Sequence, residues 1–205
     1  PSFVTVIGTD LKKYPSSEKI SIDNLPTPKI LPCDRPYSIM IAGIGGTGIV
    51  TISSLIAMAA HLENKGVTVL DVAGLAQKNG AVYSHVRISK DQDKLYAVRI
   101  SEGGADLLIG CDMITASTDE TLIKLHNKNT HAIVNSYTTM TADFASNPNL
   151  SFPDKEIRKA LFQSSGRNNT TFFNASETAT RILGDNICTN MVLIGYAYQS
   201  GLLPV

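Results

Sequence analysis

The sequence predicts an α/β domain: a three-layer α/β/α, Rossmann-like arrangement around a mixed, mostly parallel sheet with one β-hairpin. Three observations carry this. From Tyr37 onward, short β-branched runs alternate with stretches of helical periodicity. A glycine-rich turn, Gly43-Ile44-Gly45-Gly46-Thr47-Gly48, joins the first such run to the first helical stretch. Ala81–Ser89 alternates with the period of a strand, and the polar connection Lys90–Lys94 behind it is too short for a parallel crossover.

The elements follow in order. Ser38–Ala42 reads as a short buried strand ending at glycine. Thr47–Glu63 reads as a helix whose inner stripe is Ile49, Ile52, Leu55, Ile56, Ala59 and Leu62. Val67–Val72 completes a βαβ unit. Ala81–Ser89 and Leu95–Ile100 form the expected hairpin. Ala105–Ser117 is apolar throughout and reads as a helical turn followed by a strand at Met113–Ala116. Asp119–His126 is a helix and Ala132–Asn135 a buried strand. Residues 145–175 are loop-rich, with one helix at Asp154–Phe162. Ser176 caps a helix that Gly184 closes, and Ile187–Gln199 is the last helix. Ahead of the domain (37–205), residues 1–36 hold six of the nine prolines and read as an extended linker with a short strand at Phe3–Ile7.

Composition narrows the function. Eighteen basic side chains balance eighteen acidic ones across 205 residues, so nothing draws the chain as a whole to nucleic acid or anionic lipid. Any phosphate must be held by local geometry. No apolar run reaches a membrane span and no signal peptide opens the chain, so a cytoplasmic location is expected. Three scattered cysteines, Cys33, Cys111 and Cys188, announce neither a disulfide framework nor a metal site. Cys111 and Cys188 read as buried small hydrophobes. A start at Pro1 without Met reads as a piece of a longer polypeptide.

The glycine loop is the leading site candidate. In a strand–turn–helix setting, Gly43 allows the tight turn, Gly45 admits a phosphate against the backbone, and Gly48 lets the helix pack on the strand. With Gly46 and Thr47 these residues would offer the N–H groups of a helix N-terminus to an anion. The competing reading is a glycine turn kept only for packing. Asp71 stands where dinucleotide folds place a ribose-binding carboxylate, though a polar strand end is also commonplace. Lys78, in the turn Gln77–Gly80, could pair with a phosphate or be a solvated lysine. Tyr83, His85 and Arg87 share one strand face; Arg87 is the ligand candidate and His85 reads as structural. His61 reads as a surface or helix-end residue. Of Tyr196 and Tyr198, one is expected in the core and one against another domain.

The blocks Gly43–Ser89, Ala105–Asp112 (A-D-L-L-I-G-C-D) and Asn190–Pro204 (N-M-V-L-I-G-Y-A-Y-Q-S-G-L-L-P) resemble, in order, the gamma domain of indolepyruvate:ferredoxin oxidoreductase, a 2-oxoacid:ferredoxin oxidoreductase. Residues 1–36 resemble the connector that follows a ferredoxin-like segment in fused forms, and the end at Val205 looks early for the family. Asn79-Gly80 stands where the family often has Gly-Gly. The resemblance implies oxidative decarboxylation of an arylpyruvate to an acyl-CoA, with electrons passed to ferredoxin. Thiamine diphosphate with Mg²⁺ and [4Fe-4S] clusters are then expected on other domains or subunits. This domain would contribute to CoA binding and assembly, with no catalytic residue and no metal ligand of its own. As a fragment it is expected to be inactive alone.

Three alternatives stand beside that reading. They are an NAD(P)-binding dehydrogenase domain, an ATP-binding adenylating domain, and an assembly module whose glycine turn only packs.

Overall fold

A computed structural model of the chain describes residues 25–74, 80–138 and 151–205. Among these residues six strands form one sheet: β1 Tyr37–Ile44, β2 Gly66–Ala73, β3 Ala81–Ser89, β4 Leu107–Gly110, β5 His131–Asn135 and β6 Thr170–Phe173. Their order is β2-β3-β1-β4-β5-β6. β3 runs antiparallel to both neighbours, and the pairs β1–β4, β4–β5 and β5–β6 are parallel. The sheet is thus mixed and mostly parallel, as the sequence predicts.

Helices cover both faces. On one, α1 (Ile49–Leu62), α5 (Ala175–Leu183) and α6 (Thr189–Gln199) bury Ile49, Ile52, Ile56, Ala175, Leu193 and Ala197 against Ile39, Ile41 and Ile109. On the other, α2 (Met113–Ala116), α3 (Asp119–Leu122) and α4 (Asp154–Ser165) lie over Met40, Ala42 and Leu108, with Met113 and Leu161 fully enclosed. Alternate residues of each central strand therefore feed separate cores, which explains their near-continuous apolar sequence.

Several expectations need correction. The hairpin is β2–β3, and β3 inserts between β1 and β2. The unit β1-α1-β2 is therefore split. Leu95–Ile100 forms no strand; Tyr96 is 92% exposed, and the segment is pinned by two bonds to β3 side chains. Arg87 donates to the Ala97 carbonyl, and the Ile100 amide donates to His85 Nδ1 at 3.3 Å. In 105–117 the order is reversed, with strand β4 first and helix α2 second. Asp112 decides it, because its carboxylate accepts from the Thr115 amide at 2.8 Å and so caps α2. β6 was unannounced, and α5 is capped by Asn174 rather than Ser176. On α1, Leu55 and Leu62 lie outside the inner stripe, which instead closes with Ala60.

Residues 25–36 form no helix or strand, yet they are fastened to the domain. Arg35 grips the buried Asp106 carboxylate through both terminal nitrogens, at 2.5 and 3.2 Å, and Cys33 enters the core. The proposed strand Phe3–Ile7 lies outside the described residues.

Candidate functional site

The sheet has a topological switch between β1 and β4. α1 leaves β1 toward one face, and α2 leaves β4 toward the other. A crevice at the carboxyl ends of such strands is where α/β sheets bind ligands. Here it is a cleft of about 500 Å³. Its floor includes Ile44, Cys111 and Asn135 from the strand ends, and its walls include Thr47, Gly48, Ser176 and Asn190.

The glycine loop enters this cleft in an unexpected way. Gly46 and Gly48 have φ of +83° and +90°, the left-handed region that glycine occupies without strain. Gly48 caps α1 with no side-chain bond. Among the described residues the first-turn N–H groups of α1 have no intrahelical or side-chain partner, and they carry the positive end of the helix dipole. Gly43 does not form the turn. It lies in β1, where a Cβ would overlap Ile49 Cδ1 and press on Cys111 Cβ at 3.0 Å. The Gly45 amide is already committed to the Gly80 carbonyl at 2.7 Å, and a Cβ there would meet that same oxygen at 3.1 Å. Gly45 thus joins the loop to the β2–β3 hairpin.

Asparagine and hydroxyl side chains hold the walls together. Asn135 is 4% exposed and fully engaged. Its Nδ2 donates to the Cys111 carbonyl and Ser176 Oγ, and its Oδ1 accepts from the amides of Ala175 and Tyr137. Asn190 donates from α6 to the Thr47 carbonyl at 2.8 Å, fixing the loop against that helix. Thr189 donates to the Asn186 carbonyl at 2.6 Å and approaches Ser176 Oγ at 3.2 Å. Thr47 turns its hydroxyl back onto the Ile44 carbonyl.

Electrostatically the cleft is sparse. Among the described residues no Lys, Arg or His lines it, and the one charged side chain is Asp112. An anion would meet backbone amides and amide side chains rather than cations. Burial pushes the Cys111 thiol well above the ordinary range, so it stays protonated and is no nucleophile.

The other sequence candidates stand elsewhere. Arg87 pairs in register with Ser38, at the opposite end of β1 from the loop, and bonds the Ala97 carbonyl. Tyr83 bonds Thr118 at 3.0 Å, and His85 is completely buried. Asp71 is separated from the loop by β3 and accepts from Ser53 and Ser84. That arrangement removes its ribose reading, which requires β2 to lie beside β1. Lys78 lies outside the described residues. His61 is exposed at the end of α1, as expected of a surface residue, and Cys188 is only partly buried. Tyr196 and Tyr198 are both exposed, so neither fills the core as expected; Tyr196 rests against Phe173 with ring centroids 4.8 Å apart. The sequence reading missed Asn135, Asn190, Ser176 and Asp112 as site residues. A polar side chain closing a buried strand, or opening a helix, was the available signal.

Among the described residues no three His, Cys, Asp or Glu side chains gather as a metal site. No described helix is long and apolar enough to cross a membrane.

Comparison with known proteins agrees with this architecture. The family described as pyruvate ferredoxin/flavodoxin oxidoreductase matches residues 38–205. The indolepyruvate oxidoreductase subunit IorB of Archaeoglobus fulgidus is 33% identical over 171 residues, 82% of this chain and 78% of the relative. Among solved structures, the pyruvate oxidoreductase subunit PORC of Thermotoga maritima superposes with a TM-score of 0.56 at 18% identity, covering 83% of this chain and 79% of that one. The 2-oxoglutarate:ferredoxin oxidoreductase of Magnetococcus marinus, solved with 2-oxoglutarate, coenzyme A and succinyl-CoA, gives 0.55 at 18% identity, covering 80% of this chain and 24% of that one. The chain belongs to the pyruvate ferredoxin/flavodoxin oxidoreductase family, as a relative of its IorB-type subunits.

Proposed function

We propose that this chain is the gamma-type component of an indolepyruvate (arylpyruvate):ferredoxin oxidoreductase and that its cleft receives part of CoA. The observation that carries the reading is the uncapped N-terminus of α1, opening into the switch-point cleft behind Gly46 and Gly48. A phosphate of CoA fits there without a cationic side chain. The amides of the first α1 turn would donate to it, and the free Oδ1 of Asn190 and the hydroxyl of Ser176 would orient the neighbouring polar groups. CoA bound to the Magnetococcus relative supports the ligand class.

In the intact enzyme, thiamine diphosphate would supply the decarboxylation chemistry and iron–sulfur clusters the path to ferredoxin. Among the described residues no three His, Cys, Asp or Glu side chains gather to hold a cluster, and in this reading both groups are carried by other subunits or domains. This chain's share is to bind and orient the acyl acceptor and to assemble with those partners. The split β1-α1-β2 unit and the displaced Asp71 speak against the dehydrogenase alternative.

Calorimetry with CoA, NAD(H), NADP(H) and ATP in parallel tests this. Heat is expected with CoA alone. A Thr51→Glu variant sharpens the test. Thr51 is the third helical residue of α1, where a carboxylate favours the helix but occupies the very amides that would hold phosphate. CoA affinity is expected to fall about tenfold or more in a variant at least as stable as the parent. Selective NAD(H) binding, or CoA affinity indifferent to the substitution, overturns the reading.

A further inference from the structure

Among the described residues β2 has β3 as its sole sheet neighbour, and it forms one edge of the sheet. It shows few of the devices that keep such edges solitary. Gly66–Ala73 contains no proline and one charge, Asp71, and Val67, Val69, Leu70 and Val72 are half-buried. In an antiparallel pair alternate backbone groups point away from the partner strand. One of these, the Val67 amide, is satisfied by Gln92 Oε1 at 2.9 Å. From Val69 to Ala73 no other described residue pairs with the edge. The opposite edge, β6, is only four residues long, which is itself protective.

The helix above this edge is equally bare. α1 packs over β2 and β3, with α6 on its inner side. Its 14 residues include no Asp, Glu, Lys or Arg. Leu55, Met58 and Leu62, spaced to share one helix face, are 44%, 56% and 74% exposed. A helix apolar on both faces is ordinarily buried on both.

We propose that β2 and α1 together form a two-fold interface with a second copy of this chain. Antiparallel β2–β2 pairing is the arrangement that a two-fold axis through the sheet produces, and it brings the two α1 stripes together on the same side. The patch is self-complementary in charge. A register centred on Leu70 sets Asp71 opposite Val69 of the other copy rather than opposite a second carboxylate. Asp71 is also already engaged by Ser53 and Ser84. The described charges flanking this edge balance, Lys65, Lys90 and Lys94 against Glu63, Asp91 and Asp93, and Lys65–Glu63 and Lys94–Asp91 are paired, so the rim has no excess of one sign to favour a charged partner.

Sedimentation velocity on the chain tests this. At micromolar concentration the expected species has twice the 22.0 kDa chain mass. Met58→Glu is expected to weaken self-association at least about tenfold, with an unchanged circular dichroism spectrum. Hydrogen exchange gives a readout that needs no substitution: the amides of Val69 and Asp71 should exchange faster on dilution. A wild-type chain that stays monomeric overturns the proposal, and so does a dimer that survives Met58→Glu undiminished. Coverage of the α1 stripe by a different oxidoreductase subunit, with this chain otherwise monomeric, overturns it as well.

Discussion

Gly43 and Gly46 stand three residues apart in one loop and are required for unrelated reasons. Gly46 has φ +83° and open space around it, so the penalty for a side chain is purely conformational. Gly46→Ala is expected to lose about 1–2 kcal/mol, the ordinary cost of a left-handed backbone for a residue with a Cβ. Gly43 has an ordinary strand backbone and no room. Gly43→Ala must displace Ile49 and Cys111 from a closed core, expected to lose about 1–3 kcal/mol. Urea denaturation measures both, and the two losses should respond differently to a second change. Ile49→Val makes space and should recover stability for Gly43→Ala alone; equal recovery in both variants would refute the distinction. The motif was legible in the sequence, and so was its place between strand and helix. Which glycine does what was not, because the spacing G-x-G-x-x-G reports neither φ nor the approach of Gly80 from another hairpin. Arg87 illustrates the same limit. Its position on a strand face could be read, but not which end of the sheet that strand end would occupy once β3 was inserted.

Elements whose signals are local were legible; those decided by distant partners were not. β1, α1, β2, β5 and α6 each carry their own periodicity or β-branched run, and each was placed within a few residues. Thr170–Phe173 becomes a strand through pairing with Ala132–Asn135, and nothing in four residues foretells that partner. The apolar run 105–117 has no period to read, so its strand and helix were exchanged; the one decisive mark was Asp112. Asn135 has the same character on a larger scale. It ends β5, binds the end of β4 through Cys111, and satisfies the first amide of α5 at Ala175. Asn135→Ala is expected to strand the Ala175 amide and the Cys111 carbonyl in a buried setting, a loss of about 2–4 kcal/mol. Asn135→Asp keeps the acceptor for Ala175 but turns a buried carboxylate oxygen onto the Cys111 carbonyl, so at neutral pH it should be at least as damaging as Ala. Thermal unfolding of the pair checks this ranking, and a clearly smaller loss for Asp than for Ala at neutral pH contradicts it.

For the whole molecule, the two-faced sheet concentrates its unpaired polarity in one place. His85 Nε2, Arg87 Nε, Ser89 Oγ and Thr68 Oγ1 are buried without partners, and all lie on the same face of β2 and β3. His85 is completely enclosed there. Its surroundings are Arg99 from the 95–100 segment, Lys124 behind α3, and Glu120 within α3. Burial lowers its pKa most, Arg99 and Lys124 lower it further, and Glu120 opposes them. The folded state therefore keeps the imidazole neutral where an unfolded chain would take up a proton, at about pH 6.5. Below that pH the unfolded state binds more protons than the native state, so stability is full above it and falls as the solution is acidified. The slope from this one group is at most about 1.4 kcal/mol per pH unit, and it operates before the carboxylates begin to titrate. Denaturant unfolding at falling pH should show that loss in the wild-type chain. His85→Gln, which keeps an acceptor within reach of the Ile100 amide, should be less stable at neutral pH yet flatter across the same window. An identical slope in both proteins would mean that the acid sensitivity comes from some other group.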